Sequence, residues 1–73
     1  MSASALYADV SRMLEECAPG STVRLATHSR VVTHAGRVYR SLPKFDKIEL
    51  GHIRKMIRHL RIDVDCARRH LPI

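Results

Sequence analysis

Residues 22–42 read TVRLATHSRVVTHAGRVYRSL, and the alternation of side chains along this stretch decides the fold. Thr22-Val23-Arg24-Leu25-Ala26-Thr27 puts Val23 and Leu25 on one face and Arg24 on the other, the period of a half-buried strand. Arg30-Val31-Val32-Thr33-His34 is β-branched and ends at Ala35-Gly36, where Gly36 can supply the positive φ of a tight hairpin. Arg37-Val38-Tyr39-Arg40-Ser41-Leu42 alternates again, and Pro43 ends it. Three short strands joined by brief turns predict an antiparallel meander, one face packed on helices and the other wet.

On both sides of the meander the period becomes helical. In residues 4–17, SALYADVSRMLEEC, the apolar set Leu6, Val10, Met13, Leu14 and Cys17 lies opposite Asp9, Arg12, Glu15 and Glu16. Ser4 is placed to cap this helix and Pro19-Gly20 to stop it. In residues 46–62, Leu50, Ile53, Ile57 and Leu60 fall in one narrow sector, continued by Val64, with Met56 beside it. Asp46 and Glu49 have capping-box spacing, while Gly51 permits a later start with 46–50 as a loop. Asp63 reads as the cap of a short last helix, 64–70, with Val64, Ala67 and Leu71 facing inward. The expected fold is α+β, a single domain over residues 1–73 in the order α-β-β-β-α with a short C-terminal helix. Its three-stranded antiparallel sheet carries helices on one face.

Length and composition bound the function. The chain has 73 residues, and a chain of that size buries only roughly 60% of its unfolded surface, which excludes enzymes that need a deep two-domain pocket. At 45% hydrophobic it is too apolar to be a disordered tail. No run approaches the roughly 20 apolar residues of a membrane span, and no basic-apolar leader opens the chain, so a cytoplasmic location without membrane contact is expected. Cys17 and Cys66 are too few and too far apart in sequence for a disulfide scaffold or a zinc site. Both lie on apolar stripes, so buried thiols are expected, and no metal site. With Trp absent and only Tyr7, Tyr39 and Phe45 aromatic, a module that stacks single-stranded bases is disfavoured.

The charge is unevenly placed. Thirteen Lys and Arg against seven Asp and Glu give a formal +6. Residues 1–23 hold Arg12 against Asp9, Glu15 and Glu16, whereas residues 24–73 hold the other 12 basic and 4 acidic side chains, nets of −2 and +8. Such asymmetry points to a polyanion, most often nucleic acid. Lys47, Arg54, Lys55, Arg58 and Arg61 share one helix sector, and residues 52–61 contain no acid, unlike the mixed faces of ordinary solvated helices. His28 stands at the junction of the first two strands, flanked by Thr27, Ser29, Arg24 and Arg30. An imidazole there could move a proton at neutral pH while the arginines neutralise a phosphate; the plain alternative is a polar turn residue. His34, His52, His59 and His70 read as solvated or phosphate-contacting, because none forms the i, i+4 set that zinc binding through a helix requires.

This combination resembles the HicA-type toxins, small bacterial mRNA interferases built on a double-stranded-RNA-binding-like fold. The stretch Val23-Arg24-Leu25-Ala26-Thr27-His28 matches the step by which that family supplies a catalytic histidine ahead of its second strand. Glu49-Leu50-Gly51-His52-Ile53-Arg54-Lys55-Met56-Ile57 is similar to the family's last helix, and Pro43-Lys44 sits where the third strand ends. Ala26 and Thr27 stand where the family has glycine and serine, and Pro19-Gly20-Ser21 replaces its Gly-aromatic step. The resemblance implies an endoribonuclease with His28 as general base and then acid, no cofactor, and an acidic antitoxin covering the basic face. Arg24, Arg30 and the helix face would hold the RNA backbone. Two other readings stay open: a non-catalytic double-stranded nucleic-acid-binding module that reads shape, and a protein-interaction domain whose charge keeps it in solution.

Overall fold

A computed structural model describes residues 3–73. The expected meander is present: β2 (Thr22–Leu25), β3 (Arg30–His34) and β4 (Arg37–Leu42) form one antiparallel sheet in that order, following the short strand β1 (Ser4–Leu6) and the helix α1 (Tyr7–Cys17). After the sheet come β5 (Lys47–Glu49), α2 (Leu50–Leu60) and α3 (Val64–Arg68), and the architecture is α+β. His34 pairs with Arg37, and both residues between them have positive φ, Ala35 at 50° and Gly36 at 78°. Two left-handed residues make the primed turn whose twist suits a two-residue hairpin. Arg30 pairs with Leu42 and Val32 with Tyr39, so Arg40 and Ser41 oppose the single residue Val31 in a bulge.

Direct cross-strand partners share a face, so Val23, Val32 and Tyr39 point one way, and Leu25, Arg30 and Leu42 point the same way. That face meets the helices. Val32 and Leu42 are fully buried against Val10, Met13 and Leu14 of α1, Ile53, Met56, Ile57 and Leu60 of α2, and Ala67 of α3. The edge strand β2 lies beyond this cover. Val23 and Leu25 turn toward the helix side yet remain 38% and 68% exposed.

Four local expectations are corrected. Residues 4–6 are strand rather than helix, so Ser4 caps nothing; α1 begins after Leu6 with no side-chain cap. Likewise 47–49 is strand rather than helix or loop, and α2 begins after Glu49 without a capping box. One arrangement explains both. β1 and β5 pair antiparallel, and the carbonyls flanking each strand take the first amide of the opposite helix: Tyr7 N–H donates to the Asp46 carbonyl at 2.7 Å, and Leu50 N–H to the Ala3 carbonyl at 3.0 Å. Those amides are among the orphan donors that a capping side chain would otherwise satisfy. Third, Val64 is 43% exposed rather than inward, although Ala67 and Leu71 are buried and Asp63 does cap α3 through the amide of Asp65. Fourth, Cys17 and Cys66 are not free buried thiols. They form a disulfide with a Cα–Cα separation of 5.7 Å, because α3 folds back against the end of α1.

The turn after α2 places Arg61 at φ 56°, with Ile62 N–H on the Ile57 carbonyl and Arg61 N–H on the Arg58 carbonyl. This is the Schellman closure, with arginine at the position that usually takes glycine.

Candidate nucleic-acid interface

The residues expected to handle a polyanion separate into two places. The first is the turn carrying His28. Ala26 N–H donates to the Ser29 carbonyl at 2.8 Å and closes the loop between β2 and β3. Ser29 Oγ donates to the Arg40 carbonyl, and Lys44 Nζ to the Thr27 carbonyl, each at 2.6 Å. His28 is exposed at the tip, and its imidazole makes no hydrogen bond or ion pair among the described residues. Arg24 is exposed on the sheet face turned away from the helices, opposite Val31.

Arg30, expected among the residues that hold RNA, is not on that surface. It is 7% exposed; its guanidinium donates to the carbonyls of Pro43 at 2.6 Å and Phe45 at 3.1 Å and lies 3.6 Å above the Tyr7 ring. Its charge is spent on the connection from β4 to β5, by hydrogen bonds and a cation–π contact. The reason lies in register, which turns Arg30 to the same face as Val32.

The second place is the ridge formed by α2 and α3. Arg54, Lys55 and Arg58 are exposed along α2, Arg61 is exposed in the turn that ends it, and Lys47 is exposed on β5. None of these five is in an ion pair among the described residues, and α2 carries no acid. Arg54 and Arg58 converge with Arg68 of α3 around an open cavity of about 250 Å³ whose floor is Ile57, Val64 and Ile73. Arg68 is a residue the sequence reading missed. Its Nε donates to the Ile73 carbonyl at 3.3 Å, and its one ion-pair partner among the described residues, Asp65, is 3.9 Å away and exposed, a pairing worth little in water. The one local signal near it was Asp63, which marks the start of α3 but not the direction in which that helix packs.

No family model, curated protein or solved structure matches this chain.

Two histidines expected to be solvated or phosphate-bound have partners within the fold, although His59 also stays exposed. His59 Nε2 is 2.8 Å from the Val38 carbonyl, which requires the proton on that nitrogen, and the ring tilts against Tyr39 at 5.8 Å. The contact ties α2 to β4, and burial raises the pKa of the Tyr39 phenol. His70 Nε2 is 3.0 Å from Glu16 Oε2 across the α1–α3 junction. There Cys17, Cys66 and His70 form the one group among the described residues with metal-ligand chemistry and proximity. His34 and His52 are half-buried.

Proposed function

We propose that this chain binds RNA through its phosphate backbone, with the α2–α3 ridge as the contact surface. The observation that carries the reading is the convergence of Arg54, Arg58 and Arg68 on one cavity beside a helix with no acid. Guanidinium groups match phosphate oxygens in geometry and charge; Arg54 and Arg58 give up no internal ion pair when phosphate arrives, and Arg68 gives up only a long, exposed contact with Asp65. Lys47, Lys55 and Arg61 extend the positive surface to either side, and Arg24 adds a separate cation on the sheet. A duplex fits this surface better than a single strand, because aromatic platforms for base stacking are lacking.

The test is a salt titration of duplex RNA binding. Log affinity should fall linearly with log salt, and Arg54→Ala and Arg58→Ala should each flatten the slope by about 1. A shallow slope that neither substitution changes favours a protein-interaction domain and ends the RNA reading.

A second reading rests on His28, exposed and uncommitted in a turn pinned at both flanks. In an endoribonuclease of the HicA type, its imidazole would take the proton of a 2′-hydroxyl as that oxygen attacks phosphorus. The imidazolium would then protonate the departing 5′-oxygen, as general acid–base catalysis requires. An acidic antitoxin would cover the same basic ridge. RNA cleavage and growth arrest by the wild type, both abolished in His28→Ala, support this reading. Cleavage that survives the substitution removes His28 from the mechanism.

A further inference from the structure

Glu16, Cys17, Cys66 and His70 come from two segments separated by about two-thirds of the chain, yet they meet at one point. Cys17 ends α1; Cys66 lies in α3; His70 follows four residues later, in a turn fixed by its amide on the Ala67 carbonyl. Four residues is one helical turn, so Cys66 and His70 fall on the same side of the segment. One ligand atom from each of Cys17, Cys66 and His70 lies within 4.8 Å of the other two. None of the three is fully exposed, and the His70 side chain is only 18% exposed.

We propose that the reduced chain binds a thiophilic divalent cation, Zn²⁺ in the first instance, through Cys17 and Cys66 thiolates and the His70 imidazole. Two sulfurs and one nitrogen on a tetrahedral zinc stand roughly 3.5–3.8 Å apart, from metal–ligand bonds of about 2.3 and 2.0 Å. The ligand atoms already lie within 4.8 Å of one another, and with the cysteine Cα atoms 5.7 Å apart, side-chain rotation sets the distance between the sulfurs. Glu16 supplies the orienting partner. Its carboxylate on Nε2 leaves Nδ1 as the ring nitrogen free to ligate, the carboxylate–histidine pairing that fixes a metal ligand's tautomer and direction. Water takes the fourth position.

The disulfide and the metal occupy the same sulfurs, so each excludes the other. A dithiol reductant gives two electrons and two protons to the Cys17–Cys66 bond, which opens to two thiols while the reductant closes to its own disulfide. Zinc then displaces the two thiol protons to solvent. Either state ties α3 to α1, covalently in one and by coordination in the other. In a compartment that keeps thiols reduced, the coordinate link is the one that operates.

The experiment is a metal titration of the folded chain, oxidised and after reduction by a phosphine, with Co²⁺ as spectroscopic probe and Zn²⁺ as competitor. The reduced chain should take one Co²⁺ with sulfur-to-cobalt charge-transfer absorption that Zn²⁺ erases, and the oxidised chain should take none. His70→Ala should weaken Zn²⁺ binding at least about 10-fold, and Glu16→Gln by about 10-fold, as loss of an orienting partner does. Both variants keep the disulfide, so their folding is checked in the oxidised form by circular dichroism. If the reduced chain unfolds without metal and refolds with zinc, the site is supported. Zinc affinity in the reduced wild type no higher than in Cys17→Ser, or unchanged by His70→Ala, overturns it. So does a reduced chain that zinc cannot refold.

Discussion

The His28 turn and the α2–α3 ridge contain much the same residue types and use them in opposite ways. Around the turn, cations are consumed by the fold. Lys44 holds the Thr27 carbonyl, and Arg30 lies buried across the Pro43 and Phe45 carbonyls against Tyr7. Along the ridge, Arg54, Arg58 and Arg61 face solvent without acidic partners, and Arg68 joins them from another helix. A net charge counts all of these alike. The separation is sharpest at Arg30, whose part-buried carbonyl acceptors would be stranded without it, since an unsatisfied buried acceptor costs about 1–3 kcal/mol.

The largest effect that sharpens this contrast concerns what holds the ridge together. α3, which carries Arg68 to the cavity, is fastened to α1 by Cys17–Cys66, a link that closes a sequence separation of 49 residues. Under oxidising conditions Cys66→Ser should lower stability by about 4 kcal/mol, on the chain-entropy view of a loop that long. Urea denaturation measures the loss. Hydrogen exchange should show the amides of α3 opening first while the hydrogen-bonded Ala26–Ser29 turn stays protected. Equal protection of both would mean that the ridge stands without the link.

Next in size is a pair of substitutions that remove the same charge. Arg30→Ala should cost about 3 kcal/mol, because two carbonyls lose a charged donor and Tyr7 loses its stacked cation. Arg54→Ala should stay within about 0.5 kcal/mol, as exposed substitutions do. In RNA titrations of the folded proteins the order should reverse: Arg54→Ala should flatten the salt dependence and Arg30→Ala should leave it alone. If both substitutions weaken RNA equally without touching stability, the contrast between turn and ridge is broken.

The sequence exposes this contrast only in part. The three-stranded meander, the apolar stripe of α2 and the Asp63 cap were legible, because each is written in a local period or a side chain beside the amide it serves. The β1–β5 pairing was not. Its strands are three residues each, too short for a period, and each helix start is held by a carbonyl some 40 positions away. Arg30 was legible in principle, since alternation puts it on the face of the fully buried Val32. Its arginine identity, next to His28, drew it instead into the expected binding set. The cysteines misled for a related reason. Distance along the chain says nothing of distance in space once the chain turns after α2 and seats α3 on α1. The cavity arginines were half legible: Arg54 and Arg58 share a helix face, whereas Arg68 joins them only through that same reversal.

The smallest effect is the one that best isolates a ridge cation from the fold. Arg61 occupies the left-handed position of a Schellman closure, with φ at 56°, where a side chain crowds the following carbonyl and glycine does not. The side chain is exposed, and the two closing hydrogen bonds come from backbone amides, so neither needs the guanidinium. Arg61→Gly should therefore raise stability by about 1 kcal/mol, read as an upward shift of the urea midpoint at constant m-value. It should simultaneously reduce duplex RNA affinity and flatten the salt slope by up to about 1. Most substitutions that weaken a ligand also weaken the fold, which leaves the two causes entangled. Here they move in opposite directions, so a more stable protein that binds RNA less well assigns the lost affinity to the charge. A more stable protein with unchanged affinity would remove Arg61 from the contact surface.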